Sequence, residues 1–305
     1  MNETPSTVRR QKRNRARYIA AINAHPFHDL ARLGPCLQSV ARAAEAFHSE
    51  TGERLKPVLF WHNDLKPNAS IQARCQEFQV DIVHYPHVSN GKNLNRQLDF
   101  ACFHEFEFFF RVDADDVVYA NRFQLQSAVF SNGSCDVCGG ALEYVSELGV
   151  KFVTRPPCSP RHRDFVENAF VLHPSLAIRL AALNHHNLRY RMGRMEDKKL
   201  YHDMVLAGLR IHNLQDIVGV YMTSNQSRNR AALKFLSFSL NVHFLFATKS
   251  AFLMPYAVAL FVAHMCIPPQ KLRQIRALVQ NARGTAQRRT KVRSFKPKLR
   301  KLRLF

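Results

Sequence analysis

The chain has 305 residues and a formal net charge of +21, long enough for one large domain with appendages. The charge is uneven: residues 1–17 hold six Lys/Arg and one acid, residues 217–305 hold seventeen Lys/Arg and no acid, and residues 18–216 balance at −1. A uniformly basic body is thereby excluded, and the basic ends suit anionic lipid headgroups or nucleic acid equally on charge alone.

Residues 1–17 are polar and charged with little to bury, and are expected to be disordered. No long apolar run follows the basic stretch from Arg9 to Arg17, so no signal peptide is expected. The seven cysteines are scattered and odd in number, which fits free thiols in a reducing cytoplasm. Tyr18 to Asn23 reads as a first strand, ended by His25-Pro26. Cys36 to Phe47 carries Leu37, Val40, Ala44 and Phe47 at helical spacing. Pro57 to Trp61 is a second buried strand that breaks into His62-Asn63-Asp64. A turn at Lys66-Pro67-Asn68 leads into a helix over Ser70 to Phe78, and Asp81 to Tyr85 is a third strand. The stretch Asn90 to Asn95 caps a helix running to Phe103, which delivers the chain to a strand over 106–112. This alternation is that of a mostly parallel sheet with helices on both faces.

Phe108, Phe109, Phe110 and Val112 fit a pleated core surface, and three carboxylates follow at once: Asp113, Asp115 and Asp116. Burying them unpaired would be very costly, so they must face solvent or a cation. Carboxylates this close suit Mg²⁺ or Mn²⁺, and strand ends of an open α/β sheet are where ligands bind. From these residues alone, an acidic turn with Asp116 capping the next helix is the alternative.

Arg122 to Phe130 reads as a helix and 136–145 as a strand region, with the lone Cys135-Asp-Val-Cys138 taken as strand rather than zinc ligands. Residues 150–165, rich in Pro, Arg and His, read as a mobile loop or connector. A helix is expected from Leu176 to Leu183, and another opened by Met195-Glu196-Asp197 and ended by Gly208. Ile211 to Leu214 and Ile217 to Tyr221 read as two short strands. Phe235 to Met265 is apolar and aromatic but interrupted by Lys249 and Pro255, which favours a helix pair lying in a membrane interface or packing on the body. Residues 271–303 carry thirteen basic residues, with Leu272, Ile275, Leu278 and Val279 making part of the tail amphipathic. Apolar area plus a polybasic stretch is a two-signal arrangement for peripheral attachment.

At Arg111-Val-Asp-Ala-Asp-Asp116, with Arg122 and Gln126, Asp136-Val-Cys-Gly139, His173-Pro-Ser175 and Glu196-Asp197 following in order, residues 18–225 resemble the family 2 glycosyltransferases. The resemblance implies an α/β fold of the GT-A (Rossmann-like) type, a mostly parallel central sheet flanked by helices, with a C-terminal helical membrane-associating extension. It sets expected boundaries at 1–17 (basic N-terminus), 18–225 (catalytic domain), 226–270 (apolar helical segment) and 271–305 (basic tail). The chain departs from the family at Asn23-Ala-His-Pro26, where Pro-x-Tyr-Asn is usual, at Asn63-Asp64, where an Asp-rich loop is usual, and at Asp203, where an Arg is frequent.

The resemblance also implies the chemistry: inverting transfer of a sugar from a nucleotide-sugar donor to a glycan or lipid-linked acceptor, in cell-surface polysaccharide or lipopolysaccharide assembly. Asp115 is then the metal ligand for a divalent cation (Mg²⁺ or Mn²⁺), Asp113 contacts ribose or metal, and Asp197 is the general base. Asn23, Asp64, Asn90 and Asn95 join Asp113 as nucleotide-sugar-binding residues. Arg111, Asp116, Arg122, Glu196 and His173 support them. Without the resemblance, Glu196-Asp197 is an acidic first helical turn stabilised by the helix dipole, Asn23 and Asp64 are turn formers, and His173 is structural. The expected location is cytoplasmic, on the inner face of the plasma membrane, with the basic tail on its anionic surface. The competing classes are a nucleic-acid-binding protein, which the tail's lack of interleaved aromatics disfavours, and a non-catalytic sugar-nucleotide-binding relative.

Overall fold

The computed structural model describes residues 16–25, 30–146, 149, 151–223 and 230–267. The expectations for residues 1–15, for the whole basic tail (271–305) and for the attachment of that tail to a membrane lie outside these residues.

The first half alternates strand and helix: β1 (Tyr18–Ala24), α1 (Leu30–Thr51), β2 (Leu55–His62), α2 (Ala69–Glu77), β3 (Asp81–Tyr85), α3 (Asn90–Phe103) and β4 (Phe108–Asp113). These four strands pair in parallel in the order β3-β2-β1-β4. Their near-continuous apolar runs follow from burial on both faces. Along β1, Tyr18, Ala20 and Ile22 enter one core with Leu33, Leu37, Val40 and Phe47 of α1, while Ile19 and Ala21 enter the opposite core with Leu94 and Leu98 of α3. Phe108 and Phe110 of β4 share the first side, and Phe109 the second. The two-residue period of a strand thus turns one run of phenylalanines into two cores.

The second half comprises β5 (Val117–Val118), α4 (Arg122–Ser131), β6 (Val137–Ser146), β7 (Lys151–Thr154), α5 (His162–Val166), β8 (Ala177–Arg179), α6 (Leu180–His185), α7 (Glu196–Leu206) and β9 (Ile211–Thr223). It extends the sheet beyond β4 as β8-β6-β9-β5, with β7 on β6, and its pairings are mixed. Helices α8 (Arg230–Ala247) and α9 (Met254–Cys266) follow and pack onto the second core through Phe244, Leu245 and Ala257.

Three sequence expectations are corrected. Residues 150–165 are not a plain connector: β7 pairs antiparallel with β6, where Phe152 stacks on Tyr144 at 5.0 Å, and α5 begins at His162 with Asp164 accepting the Arg161 N–H at 2.7 Å. The helix expected from Leu176 begins instead at Leu180. Ala177 to Arg179 form a three-residue strand inserted between β4 and β6, a placement set by tertiary pairing that no local pattern reveals. The two late strands are one, β9, whose register against β6 shifts around Gly139 and Ala141. There a Cβ on Gly139 would lie 2.2 Å from Asn213 Oδ1, so the buried Asn213 side chain sits over this position only because glycine lacks one.

Candidate active site

The acidic loop leaves β4 between β1 and β8, at the carboxyl end of the parallel strands. Asp113 pairs in register with Asn23, and the Ala114 N–H donates to the Asn23 carbonyl at 3.2 Å. The turn closes with the Asp116 N–H on the Asp113 carbonyl. Behind it, the Arg111 guanidinium is buried and grips both Asp113 oxygens, Nη1 to Oδ2 at 2.7 Å and Nη2 to Oδ1 at 2.5 Å. A bidentate pair of this kind fixes a carboxylate's direction as well as its charge.

Arg122 and Gln126, one helical turn apart on α4, brace the loop from below. Arg122 donates to the Arg111 carbonyl at 2.6 Å and to Gln126 Oε1 at 3.0 Å, and Gln126 donates to the carbonyls of Ser175 and Cys138. Burial pushes the Arg122 guanidinium down to about 10, with Asp116 opposing, so it still carries its charge at neutral pH. Asp116 is buried; Oδ1 accepts the Met222 N–H at 3.0 Å and Oδ2 has no hydrogen-bond partner. Burial, then repulsion from Asp113 and Asp115, drives its carboxyl well above the ordinary range. Asp115 is half-buried on the same loop.

Two further carboxylates come from α7. Its first two residues are Glu196 and Asp197, preceded by Met195 with φ +59°, a left-handed conformation rare for a side chain of that size. Burial raises the Asp197 carboxyl, Glu196 adds to the rise, and the Lys198 backbone N–H and the Arg111 charge oppose it. Asn90, the first residue of α3, donates to Glu196 Oε1.

Tyr190 and Tyr201 lie close to both sets of carboxylates. Both are buried, and both phenols feel Arg111, Asp113 and Asp197. Tyr190 is fixed at three points: its N–H donates to Asn95 Oδ1 at 2.8 Å, its carbonyl accepts from Asn95 Nδ2 at 2.9 Å, and its hydroxyl hydrogen-bonds with His173 Nε2 at 2.9 Å. Burial beside Arg111 depresses the His173 imidazole well below its ordinary value, so it is neutral. The Tyr201 hydroxyl is buried without a partner, as is Asp116 Oδ2.

A second polar group lies at the ends of β1 and β2. Asn23 Oδ1 accepts from Gln97 Nε2 at 2.6 Å, Gln97 hydrogen-bonds with His62 Nε2 at 3.1 Å, and Asn23 Nδ2 reaches His25 at 3.1 Å. His87 stands edge-on to His25 and hydrogen-bonds with Asn93. Asp64 is exposed and accepts the His87 N–H at 3.2 Å.

The structure thus gathers Arg111, Asp113, His173, Asn95 and Asp197 around the two tyrosines, with Asn90 and Glu196 at the rim. It sets Asp115, Asp116 and Arg122 on or beneath the acidic loop, and Asn23 and Asp64 in the histidine-bearing group. Sequence reasoning missed Tyr190, Tyr201, Gln97 and His62. Only His62, a polar residue closing an apolar strand, left a local signal.

Among the described residues no cluster of three or more His, Cys, Asp or Glu side chains is arranged to hold a metal ion by itself. The acidic loop nevertheless fits a hard divalent cation shared with an anionic ligand. Its donors are all carboxylate oxygens, and a buried oxygen of Asp116 lacks a partner. Mg²⁺ and Mn²⁺ accept such sites, with one or two protein carboxylates and the rest from phosphate and water.

No known protein family's sequence pattern and no curated protein sequence matches the chain. Solved structures do. S. aureus TarS 1–349 in complex with UDP superposes with a TM-score of 0.55 at 16% identity, over 75% of this chain and 65% of that one. Its complex with UDP-GlcNAc gives 0.53 at 16%, over 73% and 66%. The mannosyltransferase PcManGT from Pyrobaculum calidifontis, in complex with GDP-Man and Mn²⁺, gives 0.51 at 14%, over 90% of this chain and 80% of that one. The chain spans just under two thirds of the TarS 1–349 chains. At these identities the likeness shows the fold: the curled α/β sheet flanked by helices is the GT-A architecture, as the resemblance implied.

Proposed function

From this GT-A fold and the carboxylates it brings together, we propose that the protein transfers a sugar from a nucleoside-diphosphate sugar to a hydroxyl of a glycan or lipid-linked acceptor, with inversion. The observation that carries the reading is electrostatic: Asp113, at the end of β4, and Asp197, at the start of α7, act on the same two buried phenols. Two carboxylates from segments more than eighty residues apart therefore lie close to the same two tyrosines, the proximity that a donor site and a base require. The neighbours solved with UDP, UDP-GlcNAc and GDP-Man support a nucleotide-sugar donor, and the one solved with Mn²⁺ supports a divalent cation.

Asp115, with Asp113 beside it, would hold the cation, which when bound supplies positive charge against the leaving diphosphate. The rest falls to the chain's own side chains. Arg111 aims Asp113 and adds a fixed positive charge beside it. Tyr190 and Tyr201, both buried, exclude water from beside Asp113 and Asp197. Asp197, its proton affinity raised by burial, accepts the proton of the acceptor hydroxyl as that oxygen attacks the sugar's anomeric carbon from the face opposite the diphosphate. Glu196, oriented by Asn90, positions the acceptor or the start of α7. Asn95 acts through Tyr190, whose backbone it holds. Asn23 and Asp64, with the histidines, form the end of the cleft where a base and ribose would lie. The basic tail and the apolar C-terminal helices support an acceptor at a membrane, in surface polysaccharide or lipopolysaccharide assembly.

The test is a screen of UDP-, GDP- and dTDP-sugars with Mg²⁺ or Mn²⁺, reading nucleotide release. Release by the wild type that a chelator and Asp115→Ala both abolish is expected. Wild-type release untouched by both would overturn the cation-assisted reading, and no release from any donor class would overturn the transferase reading itself.

A further inference from the structure

Helices α8 and α9 form a hairpin with two unlike sides. The inner side enters the protein: Phe244 stacks on Phe165 at 3.8 Å, and Lys198 of α7 donates to Asn241 and Ser237 of α8 at 2.6 and 3.1 Å. The hairpin is also tied to itself, with Phe238 stacked on Phe261 at 4.6 Å and Lys234 donating to the His264 carbonyl. It is therefore a built element whose outer side is a fixed surface.

That outer side is apolar. On α9 the exposed positions Pro255, Val258, Ala259, Val262 and Met265 recur at helical spacing and include no charge and no hydrogen-bonding side chain. On α8 the exposed stripe runs through Phe235, Ser239, His243 and Phe246. Phe246 is 64% exposed, and Phe252, in the turn joining the helices, 79%. Soluble surfaces rarely present contiguous apolar area of this kind without a partner.

Charge identifies the partner. From residue 217 to the C-terminus the chain has seventeen Lys/Arg and no Asp or Glu, and thirteen of the basic residues follow α9. A second copy of this face would bring two such segments together, like against like. An anionic bilayer complements them and accepts the apolar stripe at the same time. No described helix is long and apolar enough to cross a membrane, so the hairpin would lie in the plane of the interface.

We infer that the outward face of the α8–α9 hairpin is a docking surface for an anionic lipid bilayer, seated by its valines and phenylalanines. The inference stands on this surface and not on the sugar-transfer reading. Where both hold, docking sets the helix that carries Asp197 beside the leaflet, because Lys198 joins α7 to α8.

The experiment is co-sedimentation of the full chain with phosphatidylcholine vesicles, with and without phosphatidylglycerol. It compares the wild type, Val258→Asp/Val262→Asp, and a chain ending at residue 270, each checked for folding by circular dichroism. Both valines are exposed, so the double variant keeps its core. The expected result is binding of the wild type that depends on phosphatidylglycerol and is weakened at least about tenfold in the double variant with its basic tail intact. In parallel, Val262→Trp is expected to be quenched by brominated lipid well beyond the wild type, whose single tryptophan, Trp61, is buried. Equal binding by the double variant and the wild type, with loss only in the shortened chain, would overturn the inference in favour of attachment by the tail alone. So would an unquenched Val262→Trp, or a wild type that self-associates through this face in sedimentation velocity and ignores vesicles.

Discussion

The Asn90 amide, at the first turn of α3, donates to the carboxylate of Glu196, the residue immediately before Asp197. A contact 106 residues long in sequence thus sets where α7 begins. It is made possible by Gly91, where a Cβ would stand 3.0 Å from the Arg191 carbonyl oxygen and 3.8 Å from Glu196 Cβ. Gly91→Ala is expected to push the 191–196 segment outward by a few tenths of an ångström and lower kcat on the order of tenfold, since small misplacements of a reacting group are expensive. The melting temperature should change little, and steady-state transfer rates beside thermal melts would check both.

Asp197→Asn is expected to abolish transfer by about 10²–10⁴-fold while leaving nucleotide binding within a factor of a few. In the wild type, burial raises this carboxyl above its ordinary 3.8, so the base is lost by protonation at a higher pH than an exposed aspartate would allow. The acidic limb of the kcat profile should therefore lie at a higher pH than an exposed aspartate would give. Initial rates across the pH range would show it.

His62 is fully buried, and burial first, then the nearby His25 and Arg96, depress its imidazole from 6.5 to about 3. The unfolded chain binds a proton there below about 6.5, while the folded chain does not until about 3. Stability from this group is thus intact above 6.5 and is lost as pH falls from 6.5 toward 3. At about 1.4 kcal/mol per tenfold in proton affinity, the loss is on the order of 3–5 kcal/mol. Urea denaturation at several pH values should show a shallower acid slope in His62→Gln, which keeps a partner for Gln97.

Lys198 is buried and donates to the neutral side chains of Asn168, Asn241 and Ser237, and its ammonium lies 4.9 Å from the Phe165 ring centre. Lys198→Met keeps the volume but removes a donor from Asn241 Oδ1 and leaves Asn168 Oδ1 with the longer 3.4 Å bond from the Ser237 hydroxyl. A loss of about 1–3 kcal/mol is expected by denaturant unfolding.

The sequence reveals most about those parts of the site that are local. The phenylalanine run of β4 and the carboxylates after it are adjacent in the chain, so burial and charge alone place the loop at a strand end. Glu196-Asp197 opening a helix is legible for the same reason. Tyr190 and Tyr201 are not, because what makes them part of the site is their meeting with Arg111, Asn95 and His173, from three other segments. Strand β8 is hidden likewise: Ala177 to Arg179 are apolar enough for helix or strand, and only the slot between β4 and β6 decides. Gln97 sits inside an ordinary helical pattern, and nothing in that pattern shows that it faces Asn23 and His62.

The central claim, that the acidic loop holds a cation and a nucleotide within reach of Asp197, is tested most directly by calorimetric titration of UDP and GDP with Mn²⁺ into the wild type, Asp115→Ala and Asp197→Asn. The account predicts Mn²⁺-dependent binding of one nucleotide to the wild type and to Asp197→Asn, and its loss in Asp115→Ala. Equal binding by Asp115→Ala, or binding indifferent to Mn²⁺ in all three proteins, would contradict it.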